Sequence, residues 1–438
     1  MAIGVTDTVM LGWYSVDALA AVTLGSTYFF VLFIFGSGFA WAVMPMVASF
    51  AAEGDDTGLR RATRMGLWLS VAFATLSLPL MIWSEPILQR MGQGDTVARD
   101  ASIYLQVAGI GVFPALLVMV LKSYLAALER TQIVLWITVL AAVVNAFVNY
   151  ALIFGNWGAP EMGILGAAIA SVITQFVSLA GVVIYVVWVM PQHGLFVRLW
   201  RGDRAMLAKV FRLGLPIGVT LLSEVGLFAA SAVMMGWLGT IPLAAHGIVM
   251  QLASLTFMVH LGISNVATIR AGNAYGRRDR PHMARGAVIA LAMSLSFAAL
   301  TIIGFVIWPE PLISLFMQRD EPARVDIMAV GVGLLAMAAL FQLVDGAQVI
   351  ALGLLRGVQD TKVPMVLAAI SYWGIGVPCS YLLGFVLGFG GIGVWGGLVI
   401  GLGVAAVLLN ARFWGVTIKA LGQDETHTEA NEIADQKT

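Results

Sequence analysis

The chain has 438 residues, of which 60% are hydrophobic and 11% charged, and its 24 basic residues balance its 24 acidic ones. A water-soluble domain carries roughly 25% charged residues. This chain cannot clothe a soluble surface, so most of its solvent must be lipid, and with zero net charge no nucleic-acid partner is expected.

A helix that crosses a bilayer needs ~20 mostly apolar residues. The chain opens on a short remnant of such a run at 2–13, holding Asp7 in GVTDTVMLG. Complete runs follow at 17–50, 62–85, 101–128, 132–155 and 163–190. After a polar connector they resume at 206–237, 241–273, 285–309, 327–355, 363–388 and 391–418. Several exceed the minimum and are expected to tilt or to project from the bilayer. The runs are continuous, whereas barrel strands alternate over ~10 residues, which argues against a β-barrel. The single cysteine, Cys379, lies in an apolar run and offers neither a disulfide framework nor zinc spacing. The first residues lack the basic start of a cleavable signal peptide.

Basic residues mark the cytoplasmic connectors of membrane proteins. Here they collect near 51–64, 191–212, 274–285 and 356–362, including Arg60, Arg61, Arg64, Arg201, Arg285 and Arg356. The alternate connectors hold Arg90, Arg99, Arg319 and Arg324 mixed with acids. The acidic tail at 421–438 is therefore expected in the cytoplasm, and its composition predicts disorder.

The chain matches itself at an offset of 224 residues. MLGW at 10–13 faces MMGW at 234–237, Gly38 faces Gly262, Asp55 faces Asp279, Arg61 faces Arg285, and Phe73 faces Phe297. Further on, ERTQIV at 129–134 resembles QDTKVP at 359–364. Parallel repeats of this kind are related by an axis along the membrane normal. The expected fold is all-α and integral to the membrane, with two six-helix lobes in pseudo-twofold arrangement. The lobes are expected at 1–190 and 206–420, joined by a cytoplasmic linker at 191–205. The second repeat opens on a full span at 206–237, whose counterpart would begin about 18 residues before Met1 (206 less 224). The first of twelve helices is thus expected to be incomplete here, through a late start assignment or a true truncation.

An ionisable residue at membrane depth costs at least ~2.5 kcal/mol, so each is a candidate functional group. Glu224 and Asp345 lie mid-span in the second repeat, and Asp7 lies in the remnant. Two buried acids would bind a proton, or Na⁺ with added oxygens from Ser223, Gln342 and Gln348. Asn145 and Asn149 share a helix face one turn apart and would bond Asp7, a substrate or a neighbouring helix. His246 and His260 read as packed histidines, and Lys122 as a partner of Asp7 or a snorkelling residue. Walker A, HExxH and GxSxG sequences are absent, which argues against an enzyme or an ATP-driven pump.

The stretches LGLPIGVTLLSEVGLFAASAVMMGWLGTIPLAAHGIVMQLASLTFMV and FQLVDGAQVIALGLLRGVQDTKVP resemble the multidrug and toxic compound extrusion (MATE) family, NorM-type branch. So do VTDTVMLG and NAFVNYALIFG. The resemblance implies a V-shaped antiporter with a central cavity, exporting organic cations or drugs in exchange for Na⁺ or H⁺. It places Glu224 and Asp345 on the cation-site acids of the second lobe, and Asp7 on that of the first, beside Asn145 and Asn149. Phe341 stands where some Na⁺-coupled relatives carry Tyr. The expected cofactor is none beyond the coupling ion. The expected partners are small drug-like molecules and membrane lipid, the expected state a monomer, and the expected location the inner (plasma) membrane. A lipid-linked oligosaccharide flippase is the alternative; its cavity should be cationic, whereas the deep charges here are mostly acids. A channel or a scaffold fits two unequal charged halves poorly.

Overall fold

The structure is a computed structural model that describes residues 6–7, 10–11, 14–318 and 322–420. The sequence expectation for 421–438 lies outside the described residues. Eleven helices among the described residues are long and apolar enough to cross a membrane. They are α1 (Val16–Glu53), α2 (Asp56–Ile82), α4 (Asp95–Ala127), α5 (Thr131–Phe154), α6 (Gly163–Val189), α7 (Arg204–Leu238), α8 (Thr240–Gly276), α9 (Arg280–Ile307), α11 (Arg324–Gly357), α12 (Lys362–Val386) and α13 (Gly390–Ala420). Two short helices, α3 (Ser84–Arg90) and α10 (Pro309–Ser314), follow α2 and α9. Among residues 1–14, Thr6, Asp7, Met10, Leu11 and Tyr14 are helical.

Every expected span is present, and the differences lie at the starts. Helix α2 begins at Asp56 rather than 62, and α4 at Asp95 rather than 101. Hydropathy misses these first turns because they are polar, but a cap closes one of them. The Asp55 carboxylate accepts the Gly58 N–H at 2.8 Å, satisfying a donor that the helix itself leaves unpaired. The second repeat starts α9 alike, with Asp279 accepting the His282 N–H at 2.9 Å. The unusual turns recur as well. Glu129 (φ 60°) and Gln359 (φ 61°) both take the left-handed conformation, one before each counterpart of the ERTQIV motif's helix.

The chain forms two compact units, Met1–Gly218 and Val219–Thr438. In the first, α4 is the hub and packs against α1, α2 and α6. In the second, α11 holds the matching place against α8, α9 and α13. With lipid on the outside, apolar surface does not drive helices together; small residues and interhelical hydrogen bonds do. Gly346, Gly353 and Gly357 of α11 meet α8 and α9 so closely that an added Cβ would strike Ser294, Ser264 and Ala271. Ser264 donates to the Val349 carbonyl at 2.7 Å and Thr268 to the Gly353 carbonyl at 2.9 Å. Gly393, Gly397 and Gly401 line α13 at four-residue intervals and admit the α12 backbone.

Helix α12 is not a regular α-helix. It widens to i→i+5 turns at Ile370–Gly376 and Leu382–Val386, on either side of Pro378. Proline lacks the N–H and crowds the carbonyl four residues back, and a widened turn is a common way to absorb that. Tyr372 and Trp373 sit in the first widened turn.

Candidate functional site

Both units bury acids among their spans. In the second, Glu224 on α7 is 9% exposed and Asp345 on α11 is 1% exposed. Gln342, Asp345 and Gln348 recur at three-residue spacing, which places them along one side of α11, and both glutamines are fully buried. Gln348 Nε2 donates to the Tyr372 hydroxyl at 2.5 Å. Trp373 Nε1 donates to the Ser223 carbonyl at 3.3 Å and so ties the widened turn of α12 to α7 beside Glu224. His260 shares a 2.7 Å hydrogen bond with Ser294 and lies next to Gln342.

Glu224 and Asp345 are close enough to act on each other electrostatically, and Arg356 acts on Glu224. Oε1 of Glu224, Oδ1 of Asp345 and Oε1 of Gln348 have no hydrogen-bond partner among the described residues. Unpaired buried acceptors of this kind are costly, and each is an uncommitted oxygen. A cavity of about 70 Å³ opens onto Asp345, lined by Phe228, Met250, Ser254, Phe257 and Phe341 among others. It has room for a guest of about the size of water. Phe341 packs edge-on against Phe228 and Trp395, which closes one wall with carbon.

In the first unit, Asp7 is 9% exposed and fully engaged. Asn149 Nδ2 donates to its Oδ1, and Ser171 donates to its Oδ2 at 3.1 Å. Asn149 also donates to Asn145 Oδ1 at 3.2 Å. The helices α5 and α6 thus hold the remnant helix through one carboxylate. Lys122 is no partner of that acid; its Nζ donates to Thr138 at 3.0 Å. His246 is packed as expected, accepting from Trp395 Nε1 at 3.1 Å.

Sequence reasoning placed Arg356 in a connector, yet it lies within α11 and is 7% exposed. Arg64 is likewise inside α2 and 7% exposed. Its guanidinium caps the carbonyls of Gly194, Leu195 and Val197, which pins the connector after α6. Tyr372 and Ser171 were missed. Neither has a one-helix signal; each acquires a role only from the helix packed across from it.

The MatE family model matches residues 1–151 and 216–382. A probable multidrug resistance protein NorM of Rhizobium meliloti (strain 1021) is 44% identical over 419 residues, covering 94% of this chain and 89% of the relative. Its namesake from Agrobacterium fabrum (strain C58) is 44% identical over 415 residues, with the same coverage. Among solved structures, a MATE in the bent conformation superposes with a TM-score of 0.86 at 19% identity, covering 97% of this chain and 92% of that one. The eukaryotic MATE transporter AtDTX14 gives 0.83 at 18% identity over 96% and 93%. At those identities the structures speak to the fold alone. The family model and the relatives cover the spans that bear Asp7, Glu224 and Asp345, and the chain belongs to the MATE family of multi-pass membrane transporters.

Proposed function

We propose that this transporter exports drug-like organic compounds in exchange for a monovalent cation, H⁺ or Na⁺, by alternating access. One observation carries the coupling. Glu224 and Asp345 are two buried carboxylates that act on each other electrostatically, each with an oxygen that has no hydrogen-bond partner among the described residues. With both acids ionised, the site carries a net negative charge in low-dielectric surroundings, and a charge there is expensive until it is neutralised. A bound proton or Na⁺ offsets it. Gln348 Oε1 and Asp345 Oδ1 supply uncommitted oxygens for the ion.

In the cycle, cation entry from outside offsets the site's charge and favours the state that has released its drug. Loss of the cation inside restores the charge and the state that binds drug. The ion moves this equilibrium only through its different affinity for the two states. Asp7, whose two carboxylate oxygens both accept hydrogen bonds, forms a second acid site with Asn145 and Asn149, for which we propose a supporting role. The names of the NorM relatives support drug export as the activity. The positive-inside pattern supports a plasma-membrane protein with its C-terminus in the cytoplasm.

The test is drug accumulation in an efflux-deficient host expressing the chain or its Asp345→Asn variant at equal membrane level. Efflux lost in the variant supports the assignment, and unchanged efflux overturns it. Everted vesicles with imposed ΔpH or Na⁺ gradients then identify the ion.

A further inference from the structure

Five arginines wall one cavity of the first unit. It has a volume of about 490 Å³ and lies where the connector after α6 meets the starts of α2 and α7. Arg60, Arg61 and Arg64 come from the second and third turns of α2, Arg201 from the connector, and Arg204 opens α7. Asp203 is the only acid that lines the cavity among the described residues, and both its oxygens are committed. One takes the Arg61 guanidinium, and the other caps α7 by accepting the Met206 N–H at 3.0 Å. Arg64 is committed as well, to the carbonyls of Gly194, Leu195 and Val197.

Arg60, Arg201 and Arg204 remain. Arg60 is half-buried, and its Nε is shut off from solvent with no hydrogen-bond partner among the described residues. It also lies close enough to Arg64 for the two charges to repel. An unpaired buried donor is costly, and a like charge beside it adds to the cost. The scaffold does not demand this arrangement. At the 224-residue offset Arg60 and Arg64 become Ala284 and Val288, and α9 starts from the same aspartate cap without them. The preference of basic residues for the cytoplasmic side accounts for solvated arginines, not for one held against another in a walled cavity. Two tryptophans set the depth. Trp68, one turn beyond Arg64, is 41% exposed and donates from Nε1 to the Leu199 carbonyl at 2.9 Å. Trp200, beside Arg201, is 77% exposed. Tryptophans collect at the headgroup level of a bilayer.

We propose that this cavity binds the headgroup of an anionic phospholipid that carries two phosphates, of the cardiolipin type. Five guanidinium groups against one carboxylate leave four positive charges in excess (five less one). A guanidinium fork matches the oxygens of a phosphate, and basic pockets at the cytoplasmic side of membrane helices bind such headgroups. The size agrees. A water takes up roughly 30 Å³ of liquid, so the cavity has room for a headgroup rather than for one small anion. Arg60 supplies the inner donor, and Arg201 and Arg204 supply the outer, exposed ones. The bound headgroup would join α2 to the connector beside the Arg61–Asp203 pair. The inference is independent of the ion chemistry above.

The test is a lipid titration of the full, detergent-purified chain read by native mass spectrometry, with cardiolipin, phosphatidylglycerol or phosphatidylethanolamine as the probe. One cardiolipin per chain should stay bound under activation that strips the other two lipids. Arg201→Gln, which alters an exposed connector residue, should weaken cardiolipin binding about fivefold, the worth of one basic residue beside an anionic lipid. Arg60→Gln combined with Arg204→Gln should weaken it about 25-fold on the same scale. The same loss of charge at Arg277 and Arg278, both exposed and outside the cavity, should leave it unchanged. Equal losses in the two double variants, or cardiolipin held no better than phosphatidylglycerol, would overturn the proposal. So would inorganic phosphate that binds through Arg60 and that cardiolipin does not displace, since the cavity would then serve a soluble anion.

Discussion

A carboxylate inside a bilayer survives only with a partner, and the two acids of the second unit find different ones. Glu224 has Arg356 within electrostatic reach. Asp345 has Gln342, Gln348 and Tyr372 around it but no positive charge of its own. Removing a buried positive charge that acts on a buried carboxylate leaves that carboxylate less compensated. Arg356→Gln should therefore lower the thermal unfolding midpoint in detergent far more than Arg277→Gln, which alters an exposed residue. Tyr372→Phe deletes the hydroxyl that accepts from Gln348 and leaves a buried amide unpaired. Its expected cost is about 1–3 kcal/mol, read by the same melting experiment, and Gln348→Leu in the same chain should recover part of it. The acids themselves were legible in the sequence because hydropathy makes any charge in an apolar run conspicuous. Arg356 and Tyr372 were not. An arginine near a span's end looks like a connector residue until the fold buries it, and a tyrosine in an apolar run looks like packing.

At the scale of the element, the departures from a plain helix are where the sequence was least informative. The span of α12 was evident, but not its two widened turns around Pro378, because a proline kink has several solutions and packing against α13 chooses among them. Gly397 makes that packing possible: a Cβ there would fall 2.1 Å from the Ser380 backbone nitrogen. Gly397→Val should push α12 from α13 and reduce the monodisperse fraction in size-exclusion chromatography, whereas Gly415→Val, with nothing within 4 Å, should not. The connector after α6 has its own latch. The Arg61 guanidinium beside Asp203 holds that carboxyl below the usual aspartate range. A carboxyl lowered in the folded state contributes stability above its ordinary value, near 3.9, and loses it as pH falls through the lower folded value. Hydrogen exchange of residues 194–203 should therefore be flat from pH 8 to 5 after correction for intrinsic rates. Asp203→Asn should raise it throughout that range.

For the molecule as a whole, the repeat was readable because helix starts and glycine contacts recur outside the variable apolar runs. Asp55 and Asp279 cap equivalent helices, and α4 and α11 are equivalent hubs. The acids do not follow the repeat. At the 224-residue offset Asp7 faces Ser231, and at the 230-residue offset Asp345 faces Ala115. The scaffold is thus duplicated while its ionisable groups are not, so one unit holds a hydrogen-bonded aspartate and the other an under-compensated pair. That asymmetry is the ground on which we propose that ion coupling resides in the second unit. The direct measurement is the number of cations exchanged per drug in proteoliposomes, compared between the chain and its Asp345→Asn and Asp7→Asn variants. The account predicts that Asp345→Asn abolishes the cation-driven component and that Asp7→Asn weakens transport while leaving it coupled. Cation-driven transport that survives Asp345→Asn would contradict it.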